Sequence, residues 1–552
     1  MHFILFVLGL SSSILASTIN INQTSADALL RQQKQQIKSK KIFSQKKSSI
    51  KIPKFKSNLF KKHKHINFIL KKVNIRASKE LSKIEIESIF NPFYGKKISL
   101  SKLQGLVEKA TNKILEKGFI LSHAYLPEQT IDNGIVTVNI VQGFINKYQI
   151  VGKINENNKT LIDQYISPII KSKIFNNKTL ERALLSINLL PGVTAKSVIS
   201  PNKKTPDAAM LTLFVTQKEL TISAKIDNFA NKLQGREQIL IGLNSYKYLN
   251  GEISAWIGHS LESNNSRNFS MIYKTFLKDD SGTLLFSFHI SDSIPNYAAI
   301  GMPTLNDQGL AKELSLKYSY PTILTRDLSN RISFKFNVHN SDMENLDTNN
   351  LTFSDKIRSI SLIDSVKFND ITQGKNKIML SLTQGINIFD ANNERPSRID
   401  GTLNFTKLNL LFNRTQPLFY GINWNLLTMG QYSFNPLLVS EEFNLGGHGY
   451  DFGEIAGDKG YSVYNEFYYN LKPNVFNLQL YGFHYVGTVF NINDISQLKR
   501  ESLASAGIGT RVLFNENVNA NLYIGKPLTR AVSLEGNNKL RLFFSLNFNM
   551  SS

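Results

Sequence analysis

The side chains that most often do chemistry are sparse in this chain, and they do not fall at catalytic spacings. Cysteine is absent, which removes disulfides, thiolate metal sites and cysteine nucleophiles. The nine histidines form no HExxH pattern, and His63 and His65 lie in a lysine-rich stretch where like charge opposes metal binding. Gly507-Ile508-Gly509 is a lone GxG without the strand-loop-helix context of a dinucleotide site. We therefore expect no enzyme, no metal and no cofactor.

A glycine-rich stretch from Gly430 to Gly460 is the candidate functional segment. Its glycines are too dense for a helix or a strand interior, because each adds backbone entropy and removes packing. The stretch lies between two segments that alternate like strands, and loops of this length in compact domains are usually functional. The glycines that define it are Gly446, Gly447, Gly449, Gly453, Gly457 and Gly460.

The N-terminus predicts export. Residues 1–16 contain an apolar core followed by small residues and a plausible cleavage point after Ala16, which is typical of a signal peptide even though Lys and Arg are missing before the core. A buried N-terminal strand is the alternative. Because no later run of about 18 apolar residues occurs, we expect a mature protein without a helical membrane anchor.

Most of the formal net charge of +23 comes from one segment. Fifteen Lys or Arg and no Asp or Glu lie between Arg31 and Lys72. Such a run can bind nucleic acid or anionic lipid, or it can be a solvated linker, here residues 43–66. Export disfavours nucleic acid, so we expect a linker and no nucleic-acid partner. Before it, residues 17–42 predict a short polar helix with Ser25 as its N-cap candidate.

Two similar α+β units are predicted at residues 67–143 and 144–218, each in the order βααββ. In the first, a short helix is predicted over residues 81–89, an apolar helical stripe ends at Gly118, and two strands follow. Two copies at a period of roughly 75 residues indicate a tandem array. A sheet edge in such a unit can accept an extended peptide as an added strand. The strand residues assigned to partner binding are Ala124, Tyr125, Leu126, Val136, Val138 and Ile140.

Residues 219–552 alternate between apolar and polar side chains in segment after segment. Ile332, Phe334 and Phe336 alternate with Ser333 and Lys335, for example. This pattern is typical of a transmembrane antiparallel β-barrel with a wet lumen, and a soluble β-sandwich gives the same alternation. Export, aromatic strands and the lack of disulfides favour the barrel. At roughly 20 residues per strand and turn, the range leaves room for about sixteen strands.

The residues also resemble a known family, the outer-membrane transporters of two-partner secretion (TpsB, the haemolysin-activator and filamentous-haemagglutinin exporter type). Residues 115–143 and 180–193 are similar to parts of its first and second POTRA domains. Asp227-Asn228 and Gly235-Arg236 match the opening of its barrel. The loop from Gly430 to Gly460 matches the order of the family's conserved loop.

The resemblance implies a protein transporter in the outer membrane of a Gram-negative bacterium. Its POTRA domains would capture an unfolded exoprotein in the periplasm, the N-terminal helix would plug the pore, and the loop would fold back into the lumen. The implied partners are a large secreted adhesin, cytolysin or haem-scavenging protein and the outer-membrane lipid or lipopolysaccharide, with the transporter a monomer. The implied site comprises a loop tip of Gly446, Gly447, His448, Gly449, Tyr450 and Asp451, a loop base of Gly457, Asp458, Lys459 and Gly460, and wall residues Tyr485, His484 and Glu466.

The chain departs from the family at the loop tip. The usual tip arginine is replaced by His448, and the wall aspartate that pairs with it is replaced at the matching position by Tyr485. We expect a neutral or weakly charged hydrogen bond between these two residues. An alignment shifted by one residue would make His484 the contact instead, and His448 facing lumen water is the remaining alternative.

Two other functions fit part of the sequence. A barrel-assembly or insertion factor of the same superfamily would share the architecture, but two POTRA units with an N-terminal helix favour the exporter. A general porin would need no periplasmic array of about 200 residues.

Overall fold

The computed structural model describes residues 26–27, 31, 50–51, 66–77, 81, 86–202, 204–246, 251–262, 266–277, 281–471, 476–492 and 498–552. The predicted signal peptide, residues 1–16, lies outside these residues, as do most of the predicted helix 17–42 and most of the linker 43–66. The chain forms two compact units, one of Met1–Gln45 with Lys218–Ser552 and one of Lys46–Gln217. In the described part of the chain, no helix has the length and apolarity needed to cross a membrane.

The first α+β domain packs one long helix on a small mixed sheet. The helix α1 begins after Ser99, whose hydroxyl accepts a hydrogen bond from the Lys102 amide, and its apolar stripe is buried against the sheet. Strand β6 lies in the centre of that sheet, parallel to β3 and antiparallel to β5. The elements are β2 Asn67–Ile69, β3 Lys72–Arg76, β4 Lys97–Ser99, α1 Leu100–Glu116, β5 His123–Tyr125 and β6 Ile135–Val141.

The second domain has two helices on a four-stranded sheet of order β1-β8-β9-β7, in which β1 is the short segment Ile50–Lys51. Asn155 and Asn176 cap the two helices through their side chains. The elements are β7 Phe144–Val151, α2 Glu156–Lys171, α3 Asn177–Ile187, β8 Val193–Pro201 and β9 Ala208–Gln217.

The C-terminal part is a closed antiparallel barrel, in which β10 pairs with both β11 and the last strand, β28. Sixteen strands form the wall, and the short β19 pairs with the end of β17. The first eight wall strands are β10 Leu220–Asp227, β11 Gln238–Ser245, β12 Gly251–Ser260, β13 Ser266–Phe276, β14 Thr283–Ser293, β15 Asp307–Leu324, β16 Leu328–Asn345 and β17 Asn350–Asn369. Then follow β18 Lys375–Gly385, β19 Asn392–Arg395, β20 Thr406–Pro417, β21 Ile422–Ser433, β22 Phe443–Leu445, β23 Ile455–Gly457, β24 Lys459–Leu471, β25 Asn477–Phe490, β26 Arg500–Leu513, β27 Val518–Pro527 and β28 Arg541–Ser551.

The alternation along the barrel strands sorts side chains to two faces. Ser333 and Asn337 are buried in the interior, whereas Ile332 and Phe334 on the same strand are exposed on the outer face. A closed barrel leaves no unpaired strand edge in lipid. The predicted fold class, α+β domains followed by a sixteen-stranded antiparallel barrel, is confirmed.

The helix predicted over residues 81–89 differs from the structure only at its described end. Leu81 is helical. The short 3-10 turn Glu87–Ile89 lies at the predicted C-terminal end, and a second turn, Asn91–Phe93, follows with Pro92 in its first turn. Proline cannot donate the backbone hydrogen bond that would continue an α-helix there.

Candidate functional site in the barrel lumen

The glycine-rich segment begins on β21 and ends on β24, and residues 434–458 between these strands turn back into the barrel. Within the loop, β22 and β23 form a small antiparallel ladder. Leu445 and Ile455 of this ladder are buried against Val489 and Leu503 of the barrel wall. The loop therefore has its own hairpin and an apolar contact with the wall, which fix its path into the lumen.

The loop tip approaches the wall backbone to backbone. Gly446, Gly447 and Gly449 all have positive φ angles, between 76° and 150°. A Cβ atom at Gly525 of β27 would lie 2.9 Å from the Cα atom of Gly449, so the wall strand has no room for a side chain opposite the tip. Glycine is therefore favoured in the tip by the positive φ angles and is required at Gly525 by the close approach of the tip backbone.

His448 lies among aromatic rings of the wall. Its ring stacks on Tyr464 at a centroid distance of 4.4 Å and lies 5.0 Å from Tyr485 and 5.7 Å from Phe483. Burial among these rings lowers the pKa of His448 to about 4, so the imidazole is neutral at pH 7. His448 itself has a positive φ of 55°. The structure thus brings His448 and Tyr485 together through their rings.

The hydrogen bond expected between His448 and Tyr485 is not the contact that the structure describes. The Tyr485 hydroxyl lies near the backbone of Gly446 and the side chain of Ser462. Tyr485 is therefore a wall residue beside the loop tip, and its described contact with His448 is between the two rings.

His484 does not contact the tip. Successive side chains of a strand point to opposite faces. Phe483 and Tyr485 are buried inside the barrel, and His484 between them is exposed on the outer face. The alternative register, with His484 as the tip contact, is wrong for this reason.

Tyr450 and Asp451 hold the tip to the wall through polar contacts. The Tyr450 hydroxyl donates to the carbonyl oxygen of Ala504 at 3.2 Å, although the side chain is only 1% exposed. The Asp451 carboxylate pairs with Arg541 at 2.6 Å and with Arg236 at 3.1 Å. Buried charges are stable only when paired, so these two arginines fix the carboxylate in the lumen.

Glu466 belongs to a wall pair behind the tip. Both of its carboxylate oxygens accept hydrogen bonds from Arg511, at 2.8 and 2.6 Å, and the Tyr464 hydroxyl donates to one of them at 2.6 Å. Tyr464 also stacks on His448. Glu466 therefore reaches the tip indirectly, through the ring that it orients.

The loop base is anchored by a buried ion cluster. Arg398 Nη1 lies 2.8 Å from Asp458 and 3.3 Å from Glu442. Lys459 lies outside this cluster, and its ammonium group is 4.3 Å from the Tyr432 ring centroid. At Gly460 an added Cβ would lie 2.5 Å from the Phe443 ring, and at Gly457 it would lie 2.9 Å from Asn491, which leaves no room for larger residues.

The described residues of the predicted plug helix also contact the lumen. Ala26, Asp27 and Arg31 are helical. The Asp27 carboxylate lies 2.8 Å from His339 Nε2 and accepts a hydrogen bond from the Ser341 hydroxyl on the same strand. Arg31 donates to the carbonyl oxygen of Val439 at 3.0 Å, so one residue of this helix contacts the wall and another contacts the loop.

The wall leaves space where this helix docks. A Cβ atom at Gly309 of β15 would lie 3.1 Å from the Ala26 nitrogen, and Ala26 is buried. Glycine at this wall position permits the approach of the helix backbone.

The predicted partner-binding residues of the first domain divide into two groups. Val136, Val138 and Ile140 lie on β6, which is paired on both sides, and their side chains form the buried core. They cannot accept an added strand, so their assignment to partner binding is corrected. Ala124 is also buried, whereas Tyr125 on the edge strand β5 is exposed and Leu126 is partly buried beside the core.

Sequence reasoning did not assign the cations that bind the loop and the wall carboxylate behind its tip. Arg236, Arg398, Arg511 and Arg541 lie far from the loop in sequence, and Arg236 is separated from Asp451 by 215 residues. The only signal was the match of Gly235-Arg236 to the opening of the family's barrel. The wall residues of the helix contact, His339 and Ser341, gave no signal beyond strand alternation.

A closed sixteen-stranded barrel with a lumen loop, preceded by two α+β domains, is the architecture expected of the outer-membrane transporters that the sequence resembles. The haemolysin secretion/activation protein family ShlB/FhaC/HecB matches residues 212–512, and the ShlB-type POTRA domain matches residues 68–143. The chain belongs to the ShlB/FhaC/HecB family, the outer-membrane transporters of two-partner secretion.

Relatives and solved structures agree with this placement. The haem/hemopexin transporter protein HuxB of Haemophilus influenzae strain 86-028NP is 24% identical over 489 residues, which is 84% of each chain. The outer membrane transporter CdiB of Escherichia coli O6:K15:H31 is 25% identical over 444 residues, or 76% of this chain and 71% of that protein. The solved structure of CdiB from Escherichia coli has a TM-score of 0.75 at 18% identity and covers 95% of this chain and 98% of its own. That of CdiB from Acinetobacter baumannii has a TM-score of 0.67 at 18% identity, with coverage of 96% and 99%.

Proposed function

We propose that this protein captures an unfolded exoprotein at its POTRA domains and passes it through the barrel lumen, which opens when the loop tip and the N-terminal helix leave. The observation that carries the proposal is the polar docking of both elements. Asp451 on the loop and Asp27 on the helix are each held by charged wall residues within 3.1 Å. Such contacts can be exchanged for water when the elements move, at a lower cost than exposing an apolar core.

We infer that capture uses strand addition. Strand β5 is an edge of the first domain's sheet, and Tyr125 on it is exposed. An extended chain added there would gain main-chain hydrogen bonds without requiring a fixed sequence, which suits an unfolded cargo. The proposed activity is transport, and it assigns no catalytic residue.

We also propose a division of the chain. Residues 1–16 form the cleaved signal peptide, 17–42 the plug helix and 43–66 a basic linker. Residues 67–143 and 144–218 form the two POTRA domains, and 219–552 form the barrel. N-terminal sequencing of the mature protein tests the first boundary, and the proposal expects Ser17 as the first residue.

A secretion assay tests the proposed function. Deleting the protein should remove one large polypeptide from the culture medium, and the wild-type chain should restore it. A chain without residues 67–143 should insert in the membrane but fail to restore release. Release by that variant would contradict capture by the first POTRA domain, and misassembly of many outer-membrane proteins in the deletion strain would favour the insertion factor.

The exported partner is a large secreted exoprotein, and the relatives suggest candidates for its class. One relative is described as a haem/hemopexin transporter and another as an outer membrane transporter. A haem-scavenging exoprotein is therefore one candidate cargo, beside an adhesin or a cytolysin. Mass spectrometry of the polypeptide lost from the medium identifies it.

A further inference from the structure

A polar row crosses four neighbouring strands on the outer face of the barrel. The strand register pairs Asn465 with His484, His484 with Ala506, and Ala506 with Lys526. His484 is exposed between two inward-facing aromatic residues. Lys526 has the same orientation as the exposed Ile524, two residues earlier on its strand. The row therefore places two basic side chains and one amide on the surface that faces lipid.

Polar side chains on this face are costly unless something satisfies them. An ionisable residue on the lipid face of a barrel is destabilising, most strongly near the bilayer midplane. Among the residues that the structure describes, neither the His484 nor the Lys526 side chain makes a hydrogen bond or an ion pair. Asn465 accepts a hydrogen bond from the Trp424 indole at 3.2 Å, which fixes the end of the row. The two basic groups thus remain available to a ligand from outside the protein.

An apolar groove of about 620 Å³ lies directly beside the row, on its periplasmic side. Each strand of the row continues into the groove on the same face, two residues further toward the periplasm. These continuing residues are Phe467, Gly482, Ile508 and Ile524.

Gly482 leaves the groove open because it has no side chain to fill it. A Cβ atom at Gly482 would have no neighbour closer than 3.8 Å, so a larger side chain would extend into the groove without striking the backbone. Leu480, Leu522 and Leu542 add to the apolar lining. The groove is suited to a flexible hydrocarbon chain, because its lining is apolar and open to the bilayer.

The spacing of the two basic residues fits a phosphate group. They lie two strands apart, which places their Cα atoms roughly 10 Å from each other. Only the methyl group of Ala506 stands between them. An imidazole N–H and an ammonium group can both donate to one phosphate from such positions.

We propose that this row and groove bind one phosphorylated lipid of the outer leaflet, with its phosphate between His484 and Lys526 and an acyl chain in the groove. Strand β27 runs in the same direction as β10, which leaves the periplasmic domains, so Lys526 near its end lies at the extracellular side. The outer leaflet is therefore the source of the lipid. The site is separate from the lumen, since the whole wall lies between them.

Native mass spectrometry of the full-length protein in detergent tests the site, with diphosphoryl lipid A as the probe. The wild type should retain one lipid A, and His484→Gln and Lys526→Gln should each weaken retention about fivefold. Gly482→Leu should weaken it independently by filling the groove. Two matched controls should bind as the wild type does: Lys499→Gln, which removes an exposed extracellular charge, and Ala255→Leu, which enlarges an outward residue of β12, four strands away from β27.

Two further probes separate the possible sources of the signal. The wild type should retain neither diacylglycerol, which has no phosphate, nor inorganic phosphate, which has no acyl chain, in the same mass-spectrometry experiment. Equal retention of lipid A by the double variant His484→Gln/Lys526→Gln and the wild type would overturn the proposal. Retention of diacylglycerol at the level of lipid A would also overturn the proposal, because the groove would then bind acyl chains without any contribution from the phosphate group.

Discussion

The Asp27 carboxylate lies 2.8 Å from Nε2 of His339, so a charged contact joins the N-terminal segment to the inner wall of the barrel. Both side chains are buried. Arg31, one helical turn later, donates to Val439 of the lumen loop. The helix therefore bridges the wall and the loop, and its departure must break contacts with both.

Removing the Asp27 charge should open the pore. Breaking one partner of a buried ion pair typically costs about 3–5 kcal/mol, because the other group stays buried and uncompensated. We expect Asp27→Asn to raise the mean conductance of the purified protein in planar bilayers. The control is Asp132→Asn, an exposed carboxylate of the first POTRA domain, which should leave conductance unchanged. Closed-channel behaviour identical to the wild type would show that this contact does not hold the helix.

Replacing the loop-tip histidine by arginine should undock the tip. Glu466 is the carboxylate whose charge acts on His448, and Arg511 already occupies both of its oxygens. A second cation would be unpaired among the rings. We expect His448→Arg to increase conductance and reduce secretion, and His448→Arg/Arg511→Gln to restore both in part. Normal secretion and conductance in the single variant would refute this account of the tip.

Acidification should loosen the tip through the same residue. Because burial lowers the pKa of His448 to about 4, from an ordinary value near 6.5, the docked tip binds fewer protons than the released one. Docking is therefore fully stable above pH 6.5 and loses stability as the pH falls toward 4. We expect conductance to rise between pH 7 and pH 5 in the wild type. His448→Phe keeps a ring without a titrating group, and its conductance should change less over that interval.

The Asp451 pairs should dominate the docking of the loop. Its carboxylate binds Arg541 and Arg236, and Arg541 also donates to the Gly449 carbonyl oxygen at 3.0 Å. We expect Asp451→Asn to lower the unfolding temperature of the barrel, measured by heat-modifiable migration in gels, and to raise conductance. Asp347→Asn, in an exposed loop, is the control. A double-mutant cycle with Arg541→Gln should give a coupling energy of at least about 1 kcal/mol, and additive effects would exclude a direct pair.

Two substitutions in the first POTRA domain separate its core from its edge. Ile140→Ala removes a buried side chain of the central strand and should destabilise the domain by about 2–5 kcal/mol. Tyr125→Ala, on the exposed edge strand, should change stability little but reduce secretion. Limited proteolysis measures the first effect and exoprotein release the second. A Tyr125→Ala variant that secretes normally would place the capture site elsewhere.

The architecture could be predicted because it depends on local patterns. The helical stripe from Leu103 to Ile114 and the two-residue alternation along the barrel strands are periodicities that any single segment carries. The short helix predicted over residues 81–89 was less accurate at its C-terminal end, where the chain forms 3-10 turns on either side of Phe90.

Only those parts of the site that depend on neighbouring residues in the sequence could be predicted. The positions of the loop and its glycines follow from composition, and the wall position of Tyr485 follows from the resemblance. The ion pairs do not, because Arg541 reaches Asp451 from β28 and Arg236 reaches it from the connection between β10 and β11, which only the closed barrel brings beside the loop. The face of His484 was decided by register, since a shift of one residue moves a side chain to the other side of a sheet.

The close approach of Gly449 in the loop tip to Gly525 in the wall makes closure of the channel sensitive to added side-chain atoms. Closure there depends on the absence of a side chain at Gly525, because a Cβ atom at that position would lie 2.9 Å from the Cα atom of Gly449. Most buried contacts are weakened when atoms are removed, but this one is weakened when atoms are added. A single methyl group at Gly525 would push the loop tip away from the wall while every charged contact around it remained intact.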